Sequence, residues 1–232
     1  MSDPIQLTLT FEHRPALSGE DFLVAPCNRE AVQWLDRRLS WPGPVLVLHG
    51  PAGCGKTHLT HVFLAQSGGR DITAAVRDGR QPDEMLSEAS AFVIEDADAL
   101  TAAGHAETLL HLYNIAREIG AKILLTAAQP PSRWRIAIAD LRSRLNAATA
   151  VGIGAPDDAL IGALLVKLFA DRQLKVDEDV IPYMLARMER SFDAARRLVD
   201  AIDRAALEKR RNITAPLVRQ VLEAEGPDRG RS

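Results

Sequence analysis

VLVLHGPAGCGKTHL, residues 45–59, is the stretch on which the fold turns. Val45 to Leu48 form an unbroken apolar run ending at His49, the pattern of a strand buried on both faces. GPAGCGKT (50–57) follows at once and satisfies G-x-x-x-x-G-K-[ST] between that strand and a helix starting at Lys56. The spacing has a physical purpose. Gly50, Gly53 and Gly55 allow backbone turns that aim successive amides inward, with Pro51, Ala52 and Cys54 between them. The following helix adds the positive end of its dipole. Such a nest suits the β-phosphate of ADP or ATP, with Lys56 reaching the β- and γ-oxygens and the Thr57 hydroxyl helping to hold Mg2+. His58 completes the nucleotide-binding segment.

Outward from this point the same character recurs. AFVIE (91–95) and KILLT (122–126) are further buried-strand runs, and ITAAV (72–76) and TAVGI (149–153) carry a thinner version of the pattern. Helical spacing fills the intervals in NREAVQWLDRRL, KTHLTHVFLAQ, HAETLLHLYNIAREI and IADLRSRL, with Asn28 suited to cap the first. Alternation of buried strands and amphipathic helices predicts an α/β fold with a parallel sheet and right-handed crossovers. After Ala155-Pro156 only helical patterns remain. Four of them start near Asp157, Asp177, Ser191 and Thr214 as caps, which predicts a small four-helix domain. The expected divisions are therefore residues 1–20, 21–155, 156–226 and a tail at 227–232. HRPALSGED, near the start, reads as a linker.

Composition sets the outer bounds. The 232 residues are 47% hydrophobic and 25% charged with a formal net charge of -3, so no global basic excess advertises nucleic-acid binding. Two cysteines, Cys27 and Cys54, are far too few for a disulfide scaffold and fit a reducing compartment. The opening MSDPIQ lacks a secretory pattern, and no apolar run approaches the ~20 residues of a membrane span. A cytoplasmic chain is expected.

Two further features carry chemistry. FVIEDAD (92–98) is an apolar strand ending in acids, and parallel strands bring their C-terminal ends to one edge. Glu95 would support Mg2+ through water and Asp96 would polarise attacking water. In LRSRL (141–145), Arg144 stands on a helix at the rim of the sheet domain, where an arginine can point out of its own subunit. Phosphoryl transfer needs positive charge at the γ-phosphate, so Arg144 is a candidate finger supplied in trans.

GPAGCGKTHL, FVIEDADAL, ILLTAAQPPSRW and LRSRL, in this order and ahead of a four-helix lid, resemble the AAA+ core of the bacterial replication initiator DnaA. The likeness covers roughly residues 20 to 226. In the initiator a DNA-reading helix-turn-helix domain follows the lid and a helical wedge is inserted between the second and third strands; only RDGRQPDEMLSEAS separates those strands here. The chain thus is similar to the Hda-type regulatory inactivators of DnaA. That resemblance implies an AAA+ P-loop domain with a helical lid, holding ADP or ATP with Mg2+. It also implies stimulation of ATP hydrolysis in DnaA through Arg144, which prevents re-initiation, while the short Asp96 side chain, reaching less far towards water, leads to the expectation of weak intrinsic turnover. The sensor that is acidic in the initiator is Ala128 here. Asp193 stands where the lid sensor arginine would align, leaving Arg196, one turn later, as its substitute.

The resemblance also gives QLTLTF (6–11) a reading. It is similar to the short peptide that docks bacterial proteins on the sliding clamp, the beta subunit of DNA polymerase III. Gln6 would supply a directional amide, and Leu7, Leu9 and Phe11 apolar anchors. DnaA and the clamp are the implied partners, with DNA met only through the clamp, no membrane, and homo-oligomers open. Two alternatives stand beside this reading: a DnaA-like adaptor using nucleotide as a structural switch, and a self-sufficient AAA+ ATPase such as a helicase or clamp loader subunit.

Overall fold

The structure is a computed structural model describing residues 12–14, 22–87, 89–209 and 213–225. It divides into two compact units, one of residues Glu12–Ala155 and one running on from Pro156.

The first unit opens with a short antiparallel ribbon, β1 (Glu12–Arg14) against β2 (Phe22–Val24), and then α1 (Arg29–Asp36). There follow β3 (Val45–His49), α2 (Lys56–Ser67), β4 (Arg70–Asp71), α3 (Thr73–Arg77), α4 (Pro82–Met85) and β5 (Ala91–Ile94). The unit closes with α5 (Ala97–Ala102), α6 (Ala106–Ile119), β6 (Lys122–Ala127), α7 (Ala139–Ala147) and β7 (Thr149–Gly152). The five strands β3 to β7 pair in the order β4-β5-β6-β3-β7, every pair parallel. Each parallel pair needs a crossover, and the intervening helices supply it.

Side chains alternate along the strands, so each apolar run feeds two cores. On one face Val45, Val47, Phe92, Ile94, Ile123 and Leu125 pack with Leu109, Leu112 and Ala116 of α6. On the other face Leu46, Leu48, Val93, Leu124 and Val151 pack with Ala31, Val32 and Leu35 of α1 and Leu59 and Phe63 of α2. Trp41 seals that second core by stacking on Phe63, ring centroids 5.7 Å apart. Burial of each such side chain stabilises by about 1.5–3 kcal/mol. This is why β3 and β6 show no polar alternation: they have no solvent face.

The second unit contains α8 (Asp158–Asp171), α9 (Val180–Leu185), α10 (Phe192–Lys209) and α11 (Ala215–Glu225). Leu160, Leu165 and Phe169 of α8 are buried, as are Leu198, Val199 and Ile202 of α10. Val176 and Ile213 form a parallel bridge. Arg190 grips Asp158 with two hydrogen bonds of 2.6 and 3.1 Å.

Four local readings need correction. ITAAV is not a strand: the strand is Arg70–Asp71, and helix α3 takes over from Thr73. Asp71 forces the change, because its carboxylate accepts the Thr73 amide at 2.8 Å and turns the chain into a helix start that two alanines extend. HRPALSGED is not wholly a linker, since His13 and Arg14 lie in β1 opposite Leu23 and Phe22. Asn28 does not cap α1; its side chain turns back to accept the Ala25 amide at 2.8 Å. Asp177 gives way to Asp179 at the start of α9, where the helix begins at Val180. Asp157 does cap α8, accepting the Leu160 amide, and the Ser191 hydroxyl accepts the Ala194 amide ahead of α10.

Candidate functional site

The Gly50–Thr57 loop joins the C-terminal end of β3, an interior strand between β6 and β7, to α2. Gly53 (φ 69°) and Gly55 (φ 98°) occupy the left-handed region, as a loop of inward-facing amides requires. Gly50 is confined differently. A Cβ there would collide with the Ile153 carbonyl oxygen and stand 2.9 Å from Cys54 Sγ. Lys56 arches over the loop and donates from Nζ to the carbonyls of Gly50 (2.8 Å) and Pro51 (2.9 Å). Thr57 is exposed at the helix start, Cys54 is buried beneath the loop, and His58 is half-buried on α2. A glycine cradle closed below by backbone and crossed by one ammonium fits a polyphosphate.

The loop borders His49, whose imidazole lies against Gly152 of β7, a Cβ on which would come within 3.2 Å of its ring. Partial burial, and then the Lys56 ammonium, hold its pKa below the ordinary value of 6.5.

The two acids at the end of β5 diverge. Glu95 accepts the Thr60 hydroxyl at 2.8 Å, and the same hydroxyl bonds the Thr57 carbonyl at 2.7 Å. Thr60 therefore ties the Glu95 carboxylate to the first turn of α2. Asp96 takes a left-handed backbone, φ 53°, a conformation aspartate tolerates better than most residues. Its carboxylate faces away, 3.7 Å from the Arg77 guanidinium of α3. Buried threonines pin both positions: the Glu95 amide donates to Thr73 Oγ1 at 2.8 Å and the Asp96 amide to Thr126 Oγ1 at 3.1 Å. Asp98 accepts the Ala128 amide at 2.9 Å, so a carboxylate reaches that position from the neighbouring element.

Arg144 does not extend freely from its helix. Nε and Nη2 donate to the two carboxylate oxygens of Asp140, one turn earlier on α7, at 2.8 and 2.9 Å. Nη1 donates to Asn114 of α6 at 2.7 Å, and the guanidinium carbon lies 5.2 Å from the centre of the Tyr113 ring. The hydrogen bond to Arg144 holds the Asp140 carboxyl below the usual range. In the second unit, Arg196 is half-buried on α10 and Asp193 is exposed one turn before it. Gln6, Leu7, Leu9 and Phe11 lie outside the described residues.

Several of these residues were not singled out by sequence. Asp140 was within reach, since a four-residue spacing from Arg144 is the ion-pair spacing of a helix. Thr60, Thr73, Thr126, Asn114 and Tyr113 carried no such signal, because their partners lie 30 or more residues away in most cases and on different elements.

Comparison with known proteins bears on both units. Residues 158–222 match the family model described as Hda, lid domain. The chain superimposes on domain III of the replication initiation protein DnaA of Thermotoga maritima with a TM-score of 0.75, covering 88% of this chain and 94% of that one at 15% identity. The chain shares the fold of DnaA domain III and carries a segment similar to the Hda lid. It is also 27% identical over 162 residues to the chromosomal replication initiator protein DnaA of Mesorhizobium japonicum, a match spanning 60% of this chain and 33% of that relative. AMPPCP-bound DnaA from Aquifex aeolicus aligns with a TM-score of 0.66 at 18% identity, over 81% of this chain and 65% of that one. That initiator holds a triphosphate analogue. No helix among the described residues is long and apolar enough to cross a membrane.

Proposed function

We propose that this chain is a nucleotide-binding regulator of replication initiation that stimulates ATP hydrolysis by DnaA while docked on the sliding clamp, in the cytoplasm. The observation that carries the reading is the combination of a glycine cradle crossed by Lys56 with a guanidinium, Arg144, held on helix α7, in a chain with an Hda-type lid. In this reading the chain's own loop, Gly50 to His58, holds ADP or ATP. Thr57 and Glu95 would hold Mg2+, which supplies charge neutralisation between phosphate oxygens. Among the described residues no three His, Cys, Asp or Glu side chains gather as a metal cage, so its other ligands would come from phosphate and water.

Arg144 is the group supplied to a neighbour's γ-phosphate, where developing charge makes a guanidinium most valuable. Asp96 polarises water only in the chain's own site, and its turn toward Arg77 supports weak intrinsic turnover. Arg196 takes the part of the lid sensor that Asp193 vacates. Gln6, Leu7, Leu9 and Phe11 form the clamp-docking peptide. DNA is met only through the clamp.

The test is phosphate release from ATP-bound DnaA with DNA-loaded clamp and this chain. The wild type accelerates release, and Arg144→Ala abolishes the acceleration, a loss of up to ~10³–10⁵-fold, while calorimetric ADP binding persists. Paired Gln6→Ala and Leu7→Ala changes remove clamp binding in the same mixture. No acceleration by the wild type in any nucleotide state refutes the reading.

A further inference from the structure

We propose that Asp140 is a positioning residue for Arg144: its carboxylate fixes the guanidinium edge-on so that the opposite N–H groups are presented to a phosphate on another subunit. This rests on the reading of Arg144 given above and specifies how the group is delivered.

A guanidinium carries five N–H groups in a rigid fork. Asp140 takes one from Nε and one from Nη2, and Asn114 takes one from Nη1. Against the described residues that uses three, leaving one on each terminal nitrogen, enough for a bidentate bond to a phosphate. The plane is supported on one side by the Tyr113 ring, 5.2 Å from the guanidinium carbon. The Arg144 side chain retains 26% of its accessible surface, so the remaining donors are reachable. Ordinary helical arginines sample many rotamers, and ordering one at the moment of docking costs side-chain entropy. Here the ordering is done in advance by groups from α6 and α7. Preorganised donors act without reorganisation at the moment of reaction.

Asp140 does a second thing. It offsets part of the charge at Arg144, so the finger is not drawn to stray anions. The partner it fits is a triphosphate with its metal, whose oxygens meet the two remaining donors without displacing Asp140. A latch that had to open would use those same donors differently, and the two ideas predict opposite signs.

The experiment measures stimulated phosphate release by DnaA with loaded clamp as a function of this chain's concentration, for wild type, Asp140→Ala, Asp140→Asn, Asp140→Glu and Arg144→Ala. Asp140→Ala and Asp140→Asn are expected to lower the maximal rate about tenfold with the half-saturating concentration unchanged, and Asp140→Glu to restore most of it. In parallel, the Arg144 side-chain Nε–H resonance in nitrogen-15 NMR is expected to be sharp in wild type and Asp140→Glu and exchange-broadened in the other two. That readout needs neither partner nor turnover, and thermal melting reports whether each variant is folded. A maximal rate at or above wild type in Asp140→Asn, or a shifted half-saturation in its place, overturns the positioning role. Full stimulation by Arg144→Ala overturns instead the function on which it rests.

Discussion

His49 stands at the point where β3 hands over to the phosphate loop, and its chemistry is set by neighbours. Partial burial comes first and the Lys56 ammonium second in disfavouring its protonated form. The sign of the consequence follows from linkage. Below 6.5 the unfolded chain takes up the proton while the folded imidazole resists it, so stability falls as pH drops through that window. The loss levels off below the depressed folded value. His49→Gln is expected to flatten this dependence between about pH 7.5 and pH 5.5, measured as the difference in urea midpoint between the two. An equal slope in the variant would show that the imidazole is not the titrating group. The same sign applies, in the carboxylate range, to Asp140, whose carboxyl is lowered by its hydrogen bond to Arg144. Its contribution is present above the unfolded carboxylate value and is lost only as pH falls through the lower folded one.

The helices show which local signals decide structure and which are overruled. Asp157 caps α8 as its chemistry suggests, accepting the Leu160 amide at 2.8 Å. Asp157→Ala is expected to cost about 1 kcal/mol, read as a lowered urea midpoint with an unchanged slope. A change smaller than a few tenths would mean that Asp158, next in sequence, takes over the first turn. Asn28 has the same credentials and does not cap, because a tight turn offers it the Ala25 amide instead. The same competition explains α3. Thr73, Ala74, Ala75 and Val76 have enough apolar and β-branched character to look like a strand. Asp71 ends the strand by capturing the Thr73 amide, while the Ile72 amide still reaches the Val93 carbonyl at 3.0 Å. Pairing therefore stops one residue into the predicted run.

At the scale of the molecule, a ligand that binds only the folded chain stabilises it by mass action, about 2.7 kcal/mol at a concentration of 100 Kd. ADP with Mg2+ is accordingly expected to raise the melting temperature of the wild type and to leave Lys56→Ala unmoved in differential scanning fluorimetry. A wild type whose melting point ignores both ADP and ATP would remove the nucleotide from the account. The sequence alone determined the parallel α/β sheet, its fully buried strands, the phosphate loop and the helical character after Pro156, because each depends on residues adjacent in the chain: an apolar run, a glycine spacing, a three-and-four periodicity. Glu95, Asp96 and Arg144 were legible as charged groups near strand and helix ends. What they touch was not. Only the tertiary structure turned Glu95 to Thr60 and Asp96 to Arg77. It likewise brought Asn114 and Tyr113 of α6 against an arginine 30 residues further along. Hydrogen bonds between elements depend on how strands are ordered and helices rotated about the sheet, and no pattern within a single segment records that rotation.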